Sequence, residues 1–199
     1  IERIGKEVLS RGLRVATHAI GDEAIGEVLD AYENLGIEDK GRIEHFSLAG
    51  DHEISRAARL GVYVVVQPYF RIADWWLEKR LGSERTRLAY RFRHMISKGV
   101  RIAFSTDSPV DPYDPIETLW ASYSRCNTPL CNSEEALSPS EAFYAYTLSA
   151  AHASGGPVVE LVNREEGWGD ILSYSWTPSD PLSTSWRGPV TLLDTILER

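Results

Sequence analysis

The chain has 199 residues, 43% apolar and 25% charged, with a formal net charge of −8. This is the composition of an ordinary globular protein with enough chain for one sizeable core. Lys and Arg do not cluster, the balance is acidic, and no apolar run nears the roughly 20 residues of a bilayer span, which argues against nucleic acid or membrane as partners.

In chain order, the opening "IERIGKEVLSRG" is charged and amphipathic, and lacks the layout of a secretory signal. It has no initial methionine and reads as the middle of a helix, so the chain is expected to be part of something longer. Leu13 to Thr17 is a strand pattern that runs into "THAIGD", where His18 stands at the strand end. Ala24, Ile25, Val28, Leu29 and Tyr32 then recur at helical spacing, with Gly36 as the stop. "RIEH" (42–45) is a short second strand, and Ile54, Ala57 and Ala58 face one side of a second helix closed by Gly61. "VYVVVQP" (62–68) is the strongest strand, a β-branched run expected to be buried on both faces. Leu88, Ala89, Phe92, Met95 and Ile96 form the next helical stripe, stopped by Gly99, and "VRIAFSTD" (100–107) is the fourth strand.

Two later helices carry start signals: Asp114 before Pro115 with Glu117, and a Ser138–Glu141 capping box around Pro139. Past Gly155 the helical pattern fades. "DILSYSW" (170–176) and "PVTLLDTIL" (189–197) read as strands of a separate small β-module. The two cysteines, Cys126 and Cys131, cannot by themselves complete a thiolate zinc site. They read as reduced thiols of a cytoplasmic protein, with a disulfide across the loop as the alternative.

Strands alternating with helices imply a parallel sheet. The strands end in His18, His45, Gln67 and Asp107. In an α/β barrel the carboxyl ends of the strands build the active site, and two imidazoles with a carboxylate suit a first-row metal. Taken singly, His45 could be a core histidine and Asp107 a turn cap; the shared position of all three points to convergence. His52 at a helix start, His94 in an arginine-rich helix and His152 at a helix end are not expected to be ligands. Arg85, Arg87, Arg91 and Arg93, near Glu78 and Glu84, read as a solvated face rather than an anion site. The segment 69–82, with Tyr69, Phe70, Trp75 and Trp76, reads either as a substrate lid or as a packing surface for another part of the protein.

Together, "THAIGDEAI", "RIEH", "VYVVVQP", "AYRFRHMISKGVRIAFSTDSPVDPYDPIETL" and "LSPSEAFYAYTLSAAHASG" resemble the second half of a metal-dependent amidohydrolase. The branch is amidohydrolase family 3, the group similar to N-substituted formamide deformylases, over about residues 8–155. The resemblance implies an α/β fold: strands five to eight of a TIM-type (β/α)8 barrel over 1–155, then the C-terminal piece of a small β-sandwich over 156–199. It implies His18 and His45 as the fifth- and sixth-strand metal ligands, and Asp107 as the eighth-strand ligand that also moves protons. No His-x-His occurs in the chain, so the family's first-strand ligands would lie outside it.

The implied chemistry is hydrolysis of an amide-like, non-peptide C–N bond of a small molecule by a metal-activated water, with one or two divalent ions, zinc first. The alternatives are a barrel phosphoesterase or lactonase on the same ligands, or an inactive fragment or binding subunit. The chain alone is expected to be inactive. Its expected partners are the N-terminal half of the same protein, or copies of itself in a homo-oligomer. The inner face of "VYVVVQP" is expected to lie bare without them.

Overall fold

A computed structural model describes residues 1–124 and 133–155. Within them lie nine α-helices and four strands: α1 (Glu2–Ser10), β1 (Val15–Ala19), α2 (Asp22–Leu35), β2 (Gly41–His45), α3 (Asp51–Leu60), β3 (Tyr63–Val66), α4 (Phe70–Ala73), α5 (Leu77–Thr86), α6 (Phe92–Ser97), β4 (Arg101–Phe104), α7 (Pro115–Tyr123), α8 (Pro139–Tyr146) and α9 (Leu148–Ser154). The strands form one parallel sheet in the order β1-β2-β3-β4. The fold is therefore α/β, and β1 and β4 are its edges among the described residues. Cys126, Cys131 and the expected β-module over 156–199 lie outside the described residues. No helix among the described residues is long and apolar enough to cross a membrane.

The glycine stops act as expected. Gly36, Gly61 and Gly99 all take positive φ, of 59°, 67° and 85°, where a side chain would be strained. Asp114 caps α7 by accepting from the Ile116 N–H at 2.8 Å, and Ser138 and Glu141 close a capping box on α8. One helix is shorter than the periodicity suggests. Tyr90 sits at φ 53°, so α6 begins only at Phe92, and Ala89 pairs instead with Leu48 in an antiparallel bridge.

Register decides which residues share a face. Ile43, Val64 and Ile102 are aligned across β2, β3 and β4, and pack with Ile25, Leu29, Ile54 and Ala57 of α2 and α3 in the main core. His18, Glu44, Val65 and Ala103 are aligned on the opposite face. The expectation of a bare inner face is wrong. Tyr63, Val65 and Ala103 are buried with Ala153 of α9, and Ala150 packs against them. Two alanines one turn apart give α9 a side small enough to lie close to the sheet.

Tyr32 of α2 joins the first two strands. Its hydroxyl lies 2.8 Å from both Thr17 Oγ1 and the Arg42 carbonyl. The carbonyl can only accept, so the phenol donates to Arg42 and accepts from Thr17. Burial pushes its pKa up to about 12. Tyr32→Phe leaves both partners short in a part-buried setting and should destabilise the chain by about 1–3 kcal/mol. Urea unfolding checks this, and an unchanged midpoint would show that the hydroxyl is not a structural link.

Candidate functional site at the carboxyl ends of the strands

His18 lies within β1 and is exposed, whereas His45 ends β2 and is buried. The register sets Ala19 opposite His45, so strict alternation would send the His45 side chain to the helix side with Ile43. The backbone breaks that alternation: His45 and Phe46 take φ of 73° and 49°. The His45 ring then meets His18 edge-on, with centroids 4.5 Å apart and planes at 70°. The ring of Phe70, from α4, lies nearly parallel to it at 6.2 Å. Gln67, just past β3, hydrogen-bonds His45 Nδ1 through Oε1 at 2.9 Å and donates from Nε2 to Ser105 Oγ at 2.7 Å.

Asp107 follows β4, is exposed and also has a left-handed backbone, φ 52°. Non-glycine residues in this region are uncommon and cluster where a side chain must be aimed. The structure thus brings His18 and His45 together, and puts Asp107 in the loop after β4. Among the described residues no group of three or more His, Cys, Asp or Glu side chains is arranged to hold a metal ion. The imidazole pair fits a metal as two neutral nitrogen donors; the described residues do not complete a three-donor set around it.

Beside this lies a carboxylate pair that the sequence does not reveal. Asp111 is 5% exposed, and its buried Oδ2 has no hydrogen-bond partner among the described residues. Burial, then the charges of Asp74 and Asp107, push its carboxyl from the usual 3.8 up to about 6. Asp74, after α4, is itself raised by burial, and it accepts a hydrogen bond from the Tyr90 hydroxyl. Tyr90 is in turn held by its backbone N–H to the Ser47 carbonyl at 2.9 Å, two residues past His45.

The remaining histidines stand apart. His52 is exposed beside Glu53, and His94 lies 3.2 Å from Asp51. The arginine run is not a single solvated face. Arg85, Arg87, Arg91 and Arg93 pair with Asp22, Glu84, Asp51 and Glu141 at 2.8, 3.4, 2.7 and 2.5 Å, and only Glu84 is a near neighbour in sequence. Arg71, in the aromatic segment, is fully buried and donates to the carbonyls of Ala121 and Ser122, anchoring α4 to α7. Trp75 and Trp76 are exposed on the same segment, at 68% and 40%.

Comparison with known proteins gives the family of the chain. Residues 2–166 match the model of a family described as the amidohydrolase family. The chain belongs to that family. It is 35% identical over 159 residues to YtcJ of Bacillus subtilis (strain 168), which is named as an amidohydrolase, covering 75% of this chain and 30% of that protein. It is 32% identical over 156 residues to the N-substituted formamide deformylase of Arthrobacter pascens, covering 72% of this chain and 28% of that protein. The crystal structure of an uncharacterized metal-dependent hydrolase from Pyrococcus horikoshii OT3 superposes with a TM-score of 0.72 at 41% identity, over 76% of this chain and 32% of that one. The match thus covers about a third or less of each of these three proteins.

A titration test follows from Asp111. Its folded-state pKa lies above its ordinary value, so between pH 3.8 and about 6 the folded chain keeps a proton that the unfolded chain releases. Stability should therefore fall as pH rises through this window. Asp111→Asn should remove that loss, so the variant gains on the parent from about pH 4 to 6. Parallel pH-resolved unfolding curves would refute the shift.

Proposed function

We propose that the full-length protein is a metal-dependent hydrolase acting on amide-like, non-peptide C–N bonds of a small molecule. The observation that carries the reading is the edge contact of His18 and His45 at neighbouring strand ends, in a chain of the amidohydrolase family. His18, His45 and Asp107 would hold a divalent ion, zinc first, one or two in number. Further ligands would come from protein outside this chain. Such an ion, when bound, lowers the pKa of water to about 7 and polarises a carbonyl oxygen.

The chain's own residues do the rest. His18 and His45 have to stay neutral to donate, so binding weakens in acid. Asp107, exposed and aimed by its left-handed backbone, takes a proton from the attacking water and delivers it to the leaving nitrogen. Phe70 and the buried Gln67 hold His45 from two sides. Similarity to a formamide deformylase favours N-substituted formamides as the first substrates to try.

We further propose strands five to eight of a (β/α)8 barrel over residues 1–155, a β-sandwich piece over 156–199, and completion by the N-terminal half of the same protein or by a second copy. The one-sided pairing of β1 and β4 supports this. That no three such side chains are gathered to hold a metal among the described residues supports inactivity of the 199-residue chain alone. A cytoplasmic location draws on its two cysteines.

The test is release of formate and amine from N-benzylformamide by the zinc-loaded full-length protein. Asp107→Asn should lower kcat by about 10²–10⁴-fold, as loss of a proton-transfer group does, and His18→Ala or His45→Ala should reduce bound zinc measured by elemental analysis. Cleavage of phosphotriesters or lactones with no amide turnover would replace this reading by the barrel-esterase one.

A further inference from the structure

Gln67 is 3% exposed, and both ends of its amide are engaged. Oε1 faces His45 Nδ1 at 2.9 Å, while Nε2 reaches Ser105 Oγ at 2.7 Å and the Val65 carbonyl at 3.4 Å. The two ends of a glutamine amide are told apart only by their neighbours. Ser105 does not decide, because a hydroxyl can donate or accept. Val65 does. A backbone carbonyl only accepts, so the end facing it is the NH2 group and the end facing His45 is the oxygen. That oxygen also only accepts, so the proton of the neutral imidazole sits on Nδ1 and the lone pair on Nε2.

We infer that Gln67 is a positioning residue that sets the tautomer of His45, with a backbone carbonyl of β3 as the ultimate reference. The relay crosses three strand ends: His45 of β2, Gln67 after β3 and Ser105 after β4. Ser105 is fixed independently, its N–H donating to the Val66 carbonyl at 3.0 Å. Ring rotation could swap the two nitrogens, but Phe70 lies along one face of the imidazole and His18 against it. The consequence for metal binding rests on the reading of His45 as a ligand: ligating histidines donate their other ring N–H to an acceptor, and loss of that acceptor weakens affinity by about 10–100-fold. The tautomer itself depends on no metal.

The experiment is long-range proton–nitrogen NMR on the full chain with 15N-labelled histidine, at a pH well above the ordinary histidine pKa of about 6.5. Five histidines give five ring patterns, and His45→Gln assigns the one in question. The wild type should show His45 protonated at Nδ1. Gln67→Leu should lose that pattern, and Gln67→Glu, which keeps an acceptor in place, should restore it. The patterns of His94 and His152 report that the fold survives. Should Gln67→Leu fail to fold, the wild-type and Gln67→Glu patterns decide. An Nε2–H pattern in the wild type, its loss in Gln67→Glu, or an unaltered Nδ1–H pattern in a folded Gln67→Leu, overturns the inference. Zinc affinity of the full-length protein by chelator competition tests the metal reading separately. No zinc binding in the wild type with the tautomer as inferred sinks the reading alone; tight binding in the wild type with an Nε2–H pattern sinks the inference alone.

Discussion

Everything at the carboxyl end of this sheet depends on one break in strand alternation, at the end of β2. A strand sends successive side chains to opposite faces, and the β1–β2 register would set His18 and His45 on opposite sides. A left-handed backbone at His45 and Phe46 prevents this, at a cost of roughly 1–2 kcal/mol per residue. The surroundings hold it in place. The Phe46 N–H donates to the Ala19 carbonyl at 2.9 Å, the Leu48 N–H to Ile20 at 2.9 Å and the Ala49 N–H to Leu88 at 3.1 Å, while the Phe46 ring is fully buried. Strain that is over-determined in this way is a mark of a position where aim matters more than local stability.

The distribution of charge is uneven in the same direction. Each arginine of the run from 85 to 93 has a carboxylate partner, so the chain's positive charge there is locally neutralised. Past β4 the opposite holds. Asp111 is buried near Asp74 and Asp107, and one of its oxygens has no partner among the described residues. A carboxyl in that setting keeps its proton to higher pH or favours a cation nearby. The carboxyl groups of Asp107 and Asp111 therefore gather in the loop past β4, at the end of the sheet that presents the two imidazoles.

Much of this was legible in the residues. The β-branched run at 62–66, the glycines at 36, 61 and 99 and the Ser138–Glu141 pair signal their elements by local chemistry alone, and the strand ends at His18 and His45 follow from them. The links between elements were not legible. Nothing local in "VQP" says that Gln67 meets His45, because that contact requires both the β2–β3 register and the left-handed turn at His45. Arg71 carries no local mark of burial, because the two carbonyls it meets belong to α7, 50 and 51 residues on. Nothing local in "VDPYDP" marks Asp111 as buried. Leu88 and Ala89 fit a helical stripe, yet tertiary pairing with Leu48 and Ala49 overrides the periodicity.

The two edges of the sheet are not equivalent, and this bears on the site. At β4 the Ser149 hydroxyl donates to the Ile102 carbonyl at 2.5 Å, and α9 covers Ala103, so that edge is partly covered from within the chain. At β1 the side chains of Ala16 and His18 are exposed, as is Leu13 just before it, at 57%. An edge strand presents unpaired backbone groups and is held in place from one side only. His18 is thus carried by the edge strand, while His45 lies on β2, paired on both sides, and is contacted by Gln67 and Phe70. The better-supported half of the imidazole pair is the one on β2.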